Sequence, residues 1–86
     1  MKLSEAIQSL GALAQETRLG IFRTLVQAGA QGLPAGRIAE AVGAPASTLS
    51  FHLKELAAAG LIHSRHEGRF IYYTADYGAM SELVSF

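Results

Sequence analysis

Residues 37–60 read RIAEAVGAPASTLSFHLKELAAAG, and the breaks and repeats in this stretch decide the fold. Ile38, Ala41 and Val42 recur at helical spacing and form the inward edge of a short helix over Arg37–Val42. Gly43-Ala44-Pro45 ends that helix sharply, since proline lacks an N–H and restricts the residue before it. From about Ala46 to Ala59, Leu49, Leu53 and Leu56 with Ala57 share one edge of a second helix, and Gly60 closes it. At 100° per residue, Ser47, Thr48, Phe51, Lys54 and Glu55 occupy the opposite face, flanked by Ser50 and His52. Two short helices joined by a tight turn follow the grammar of a helix-turn-helix.

Two β-rich segments come next, Leu61–Arg65 and Arg69–Tyr73, joined by the loop His66-Glu67-Gly68 with glycine where a positive φ is needed. On the N-terminal side, Leu3, Ile7, Leu10 and Ala14, with Leu13 beside them, mark a helix capped by Ser4. Glu16-Thr17 opens another, whose stripe is Leu19, Ile21, Phe22, Leu25 and Val26, with Arg18, Arg23 and Gln27 off it and Gly29 at its end. Ala30–Leu33 is a loop, and Pro34 sits at a helix-opening position. A last helical pattern runs from Asp76 through Tyr77, Met80, Leu83 and Val84. The expected architecture is mostly α with a small β-hairpin: a winged helix-turn-helix of about five helices plus the wing, in one domain over residues 1–86.

A chain of 86 residues has room for one domain, and its apolar half is rich in alanine, which buries little area per residue. Such a small core points to dimerisation, because the sequence has no cysteine for disulfides or thiolate metal sites. No apolar run approaches the ~18–20 residues that span a bilayer, and Glu5 interrupts the start where a signal peptide would be apolar. The expected setting is therefore cytoplasmic, without a membrane. No carboxylate pair, Ser-His-Asp set or phosphate loop is legible, so an enzyme is not expected. His63 and His66 lie three apart on a hairpin and point to opposite faces, a poor basis for a metal site; His63 reads as simply exposed.

The net charge is zero, whereas nucleic-acid binding usually leaves a basic footprint. The zero is an average over unlike parts: residues 1–17 carry −1, residues 18–73 carry +3 and residues 74–86 carry −2. The positive middle contains the hydroxyl-rich helix face and a hairpin with Arg65, His66 and Arg69. Short hydroxyl side chains approach phosphates and base edges closely, and a hairpin in this place reaches the DNA backbone or minor groove. Candidate DNA contacts are thus Ser47, Thr48, Ser50, Phe51, His52 and Lys54 on the helix, with Arg65, His66 and Arg69 on the wing. Phe51 either meets a thymine methyl in the major groove or, after a slight rotation, packs against the hairpin.

Taken together, Ser47, Ser50, His52, Leu53, Leu56, Ala59-Gly60-Leu61-Ile62, Arg65, Gly68-Arg69 and Tyr72-Tyr73 resemble the ArsR/SmtB family of bacterial metal-responsive repressors. Ala12-Leu13-Ala14 followed by Glu16-Thr17-Arg18-Leu19 is similar to that family's approach to its second helix. The resemblance implies a homodimer built from the first and last helices, here through Leu3, Ile7, Leu10, Tyr77, Met80, Leu83 and Val84. It also implies DNA contact through Ser47, Ser50 and His52 on an inverted-repeat operator. Three departures stand out. The family's Cys-x-Cys sensor would fall on Pro34 and Gly36, its zinc ligands on the last helix would begin at Tyr77 and Ala79, and Pro45 replaces the serine that caps the recognition helix. No metal site is expected within these residues. The expected cofactor is a trivalent arsenical or another thiophilic metal, held by cysteines in a C-terminal tail beyond Phe86. The alternatives are a family member answering a non-metal signal and a winged-helix protein-interaction module.

Overall fold

The structure, a computed structural model, describes residues 1–86. Its elements run α1 (Leu3–Leu13), α2 (Glu16–Ala28), β1 (Leu33–Pro34), α3 (Ala35–Val42), α4 (Ala46–Ala58), β2 (Ile62–Glu67), β3 (Phe70–Ala75) and α5 (Tyr77–Ser85). The expected winged helix-turn-helix, five helices and a wing, is what forms. One core joins Ile21, Phe22 and Leu25 of α2 to Ile38 of α3, Leu49, Leu53 and Leu56 of α4, and Leu61, Ile62 and Ala75 at the root of the wing. Each large side chain buried this way contributes about 1.5–3 kcal/mol of transfer free energy before conformational entropy is charged against it.

Several local expectations are corrected. Helix α1 starts one residue before Ser4, with Lys2 at the N-cap position and the Glu5 carboxylate accepting from the Lys2 amide at 2.7 Å. Its buried face is Ala6 and Ser9, small residues that let α1 lie close to the body, while Leu3, Ile7 and Leu10 point outward. In α2, Leu19 is about half exposed because Ile21, Phe22 and Leu25 fill the contact with the body. Ala41 and Ala57 are exposed as well; single-methyl side chains gain little from burial, and the larger residues set how each helix rolls. Pro34 and Pro45 both stand at N-cap positions in extended conformation rather than inside the first turn, so α3 begins at Ala35.

The wing is a three-stranded antiparallel sheet in the order β1-β3-β2. Strand β1 pairs Leu33 with Tyr73 and Pro34 with Tyr72, a two-residue strand in a stretch expected to be loop. The hairpin is longer and its turn tighter than the spacing suggests. His66 and Glu67 belong to β2, Glu67 pairs with Phe70, and only Gly68-Arg69 remain in the turn. Gly68 has φ +59°, the glycine-first pattern of type II′ hairpin turns, whose twist matches that of the strands. Gly60, at φ +76°, turns the chain from α4 into the sheet.

Asp76 is the N-cap of α5, accepting from the Ala79 amide at 2.8 Å. His63 Nε2 lies 2.6 Å from its other carboxylate oxygen, so His63, though exposed, is engaged. The Ala79 amide first, and the His63 hydrogen bond second, hold the Asp76 carboxyl below the usual carboxylate range. A lowered folded-state pKa gives stability that is full above the unfolded value, about pH 4, and is lost as pH falls through the folded one. Asp76→Ala should cost about 1 kcal/mol in chemical denaturation. Asp76→Asn, which keeps a capping oxygen but does not titrate, should lose less stability than the natural protein on acidification below about pH 4. At Gly32, φ +72° coincides with close approach: a Cβ would lie 2.2 Å from the Tyr73 carbonyl oxygen and 2.7 Å from Thr74 Cγ2. Gly32→Ala should therefore lower the unfolding free energy by roughly 2–3 kcal/mol or more, measured by thermal or urea denaturation.

Candidate nucleic-acid interface

Helix α4 is held by Leu49, Leu53 and Leu56, each 5% exposed or less, and this seam fixes which residues face out. Ser47, Thr48, Ser50, Phe51 and Lys54 are all exposed, and His52 is half-buried beside them. Thr48 turns its hydroxyl back to the Pro45 carbonyl at 3.0 Å, which engages its donor and leaves the oxygen to accept. No side chain caps α4, so its first amide groups stay open at the exposed end of the helix and favour anions there. The Phe51 ring is 55% exposed and meets an edge of His52, 5.5 Å between centroids, rather than the hairpin rings, where Phe70 pairs with Tyr72.

The wing residues divide. Arg65 spans the sheet: it donates to the Gln31 carbonyl at 2.8 Å, contacts Glu67 at 3.3 Å and lies over the Tyr72 ring at 5.0 Å. It is engaged within the wing. His66 is exposed near the tip, and Arg69 occupies the turn itself, with no ion pair. The acids gather elsewhere: Glu5, Asp76 and Glu82 line one cleft between α1, α5 and the end of α4, where Glu82 also meets the N-terminal amine at 3.4 Å. Neither these three nor any other set of His, Cys, Asp or Glu side chains is close enough together to hold a metal ion.

The residues expected at a dimer face behave in two ways. Leu3, Ile7, Leu10 and Val84 are 65%, 61%, 55% and 83% exposed, a set of large apolar side chains without partners in the protomer. Met80 instead packs on the protomer's own core, Leu83 is half-buried, and Tyr77 donates its hydroxyl to the Val26 carbonyl at 3.0 Å. Through Tyr77 the short α5 reaches back onto α2, which spacing along α5 alone does not reveal.

Sequence reasoning passed over Arg18. It stands off the apolar stripe of α2 yet is half-buried, donating from Nε to the Ala12 carbonyl at 2.6 Å, with Nη1 3.3 Å from His52 Nδ1. No local signal finds a contact across thirty-four residues.

A turn-linked helix pair, an exposed polar helix face and an adjoining basic wing define a DNA-binding module of the winged-helix class. The family described as "Helix-turn-helix domain" matches residues 13–65. The chain belongs to the ArsR family of winged helix-turn-helix transcriptional regulators, which are not enzymes. It superposes on an ArsR-like transcriptional regulator from Rhodococcus sp. RHA1 with a TM-score of 0.83 at 28% identity, covering 95% of this chain and 74% of that one. A homodimeric winged helix-turn-helix DNA-binding domain from Mycobacterium bovis superposes with a TM-score of 0.82 at 28% identity, over 96% and 75% of the two chains. Nodulation protein NolR of Rhizobium meliloti is 33% identical over 75 residues, 87% of this chain and 59% of NolR. The chain thus spans less than two thirds of that relative's length. No helix is long and apolar enough to cross a membrane.

The two wing arginines should separate on mutation. Arg65→Ala should lower stability by about 1 kcal/mol, through loss of the Gln31 bond and the Tyr72 stacking. Arg69→Ala should leave stability unchanged within about 0.5 kcal/mol and weaken binding to all duplexes alike, as measured by fluorescence anisotropy.

Proposed function

We propose that this chain is the DNA-reading part of a homodimeric transcriptional repressor that binds an inverted-repeat operator and is released by an inducer. The observation that carries this reading is the α4 face: Ser47, Thr48, Ser50, Phe51, His52 and Lys54 opposite a seam of three buried leucines, next to Arg69 at the wing tip. The exposed Leu3, Ile7, Leu10 and Val84 support pairing of two copies through α1 and α5, as does the homodimeric state of the Mycobacterium bovis relative. Two recognition helices related by a twofold axis would enter successive major grooves about 34 Å apart.

A structure described as a "possible transcriptional regulator for arsenical resistance" superposes with a TM-score of 0.79 at 29% identity, in line with a trivalent arsenical or another thiophilic metal as the inducer. Residues 1–86 hold no cysteine, so on that reading the thiolates belong to residues outside them. The inducer would then act on the spacing or mobility of the two recognition helices, and a coupling of roughly 1–3 kcal/mol suffices for a switch.

Titration of the protein against palindromic duplexes at several salt concentrations tests this. Specific binding with a steep negative slope of log K against log salt is expected, since phosphate contacts release counterions. Ser50→Ala with His52→Ala should lower specific affinity by about a hundredfold while sedimentation still shows a dimer. Binding that ignores both salt and sequence would favour a protein-interaction module, for which exposed Phe51 would be the anchor.

A further inference from the structure

Arg18 joins three helices. Its amide donates to the Gln15 side chain at 2.8 Å, capping the start of α2. Its Nε satisfies the Ala12 carbonyl at 2.6 Å, one of the carbonyls that the end of α1 leaves without an intrahelical partner. Its Nη1 faces His52 Nδ1 at 3.3 Å, on the helix that carries the DNA-facing side chains. A guanidinium has five N–H donors and no acceptor, so a hydrogen bond to it requires a lone pair on Nδ1. A neutral imidazole with its lone pair on Nδ1 carries its proton on Nε2. The opposite tautomer would aim N–H at N–H.

The outer nitrogen of the ring is free. His52 Nε2 has no partner within the protein, and no buried side-chain nitrogen or oxygen of a half-buried residue lacks one, so Nε2 is open to solvent. The Phe51 ring makes a T-shaped contact with the imidazole, 5.5 Å between centroids. We propose that Arg18 is a positioning residue that fixes His52 as the Nε2-protonated tautomer, so that His52 presents a hydrogen-bond donor to an acceptor on DNA. The acceptor is a guanine N7 or O6, another base-edge acceptor, or a phosphate oxygen. A base position that offers only the cytosine amino group is rejected, because two donors would then face each other. Through Ala12, the same guanidinium ties the orientation of His52 to the end of α1.

The proposal rests on the DNA-binding reading for its second half only, and its test has two separable arms. Nitrogen-15 NMR of the free, labelled chain at about pH 8 reads the tautomer directly. Nε2 should show the resonance of a protonated ring nitrogen and Nδ1 that of an unprotonated one. Arg18→Met, which keeps the stem but removes every donor, should mix the two. An Nδ1-protonated ring in the unmodified protein overturns the proposal, with no variant needed. On a specific duplex, Arg18→Met should weaken binding about tenfold with His52 in place. In the His52→Gln background the loss should be less than about threefold, since the amide brings its own outward donor. Equal losses in both backgrounds overturn the positioning role. Single 7-deazaguanine or methylphosphonate substitutions then assign the acceptor to a base or to the backbone. If no duplex binds specifically, the DNA reading fails while the tautomer result still stands.

Discussion

Everything displayed by this molecule depends on one apolar seam. Leu49, Leu53 and Leu56 at helical spacing insert into a core built from α2, α3 and the root of the wing, leaving α4 no freedom to roll. A rotation of one residue, 100°, would bury a serine or a histidine and expose a leucine, at a cost of several kcal/mol. The polarity of the outward face is therefore a consequence of the core rather than an independent property of the surface. The chain after α4 is bound by the same constraint. Leu61 is fully buried, and its carbonyl accepts from the Asp76 amide at 2.8 Å, so the wing starts from an anchored point.

Charge is arranged around this frame. The zero total conceals a body of +3 between an N-terminal segment of −1 and a C-terminal one of −2, and in space three of the acids share one cleft between α1, α5 and the end of α4. The surplus of the body is small, and part of it is engaged: Arg65 within the wing and Arg18 between helices. What remains supports only a modest electrostatic attraction to a polyanion.

The parts of the fold legible in sequence are those set by local periodicity. The leucines of α4 and the break at Gly43-Ala44-Pro45 identify the helix pair, and Gly68 marks the hairpin. What escapes is settled by distant partners. Leu33-Pro34 is too short to show a strand period and becomes one only because β3 passes beside it. Leu19 and Ile21 read as parts of one stripe, yet Ile21 is fully buried and Leu19 is half exposed. Met80, expected at a dimer face, packs on the protomer's own core. For the candidate interface, the helix face is visible from spacing alone. Which arginines are free and which are engaged is decided by contacts such as Arg65 to Gln31 and Arg18 to Ala12, for which a single sequence offers no pattern.

The two-residue strand β1 leads directly into α3, and its pairing with β3 stitches the wing to the start of the helix pair. Gly32 lets the backbone pass close beneath Tyr73 and Thr74 at that stitch. The hairpin is thereby clamped at its root from both sides, by β1 and by the end of α4, while its tip stands free. The turn at Gly68 lies beyond the paired root, whereas the helix pair and the root of the sheet share one core and form a single packed stamp. Any signal that alters such a stamp's imprint on a surface has to change how the whole piece is tilted or spaced, because little inside it is soft enough to yield.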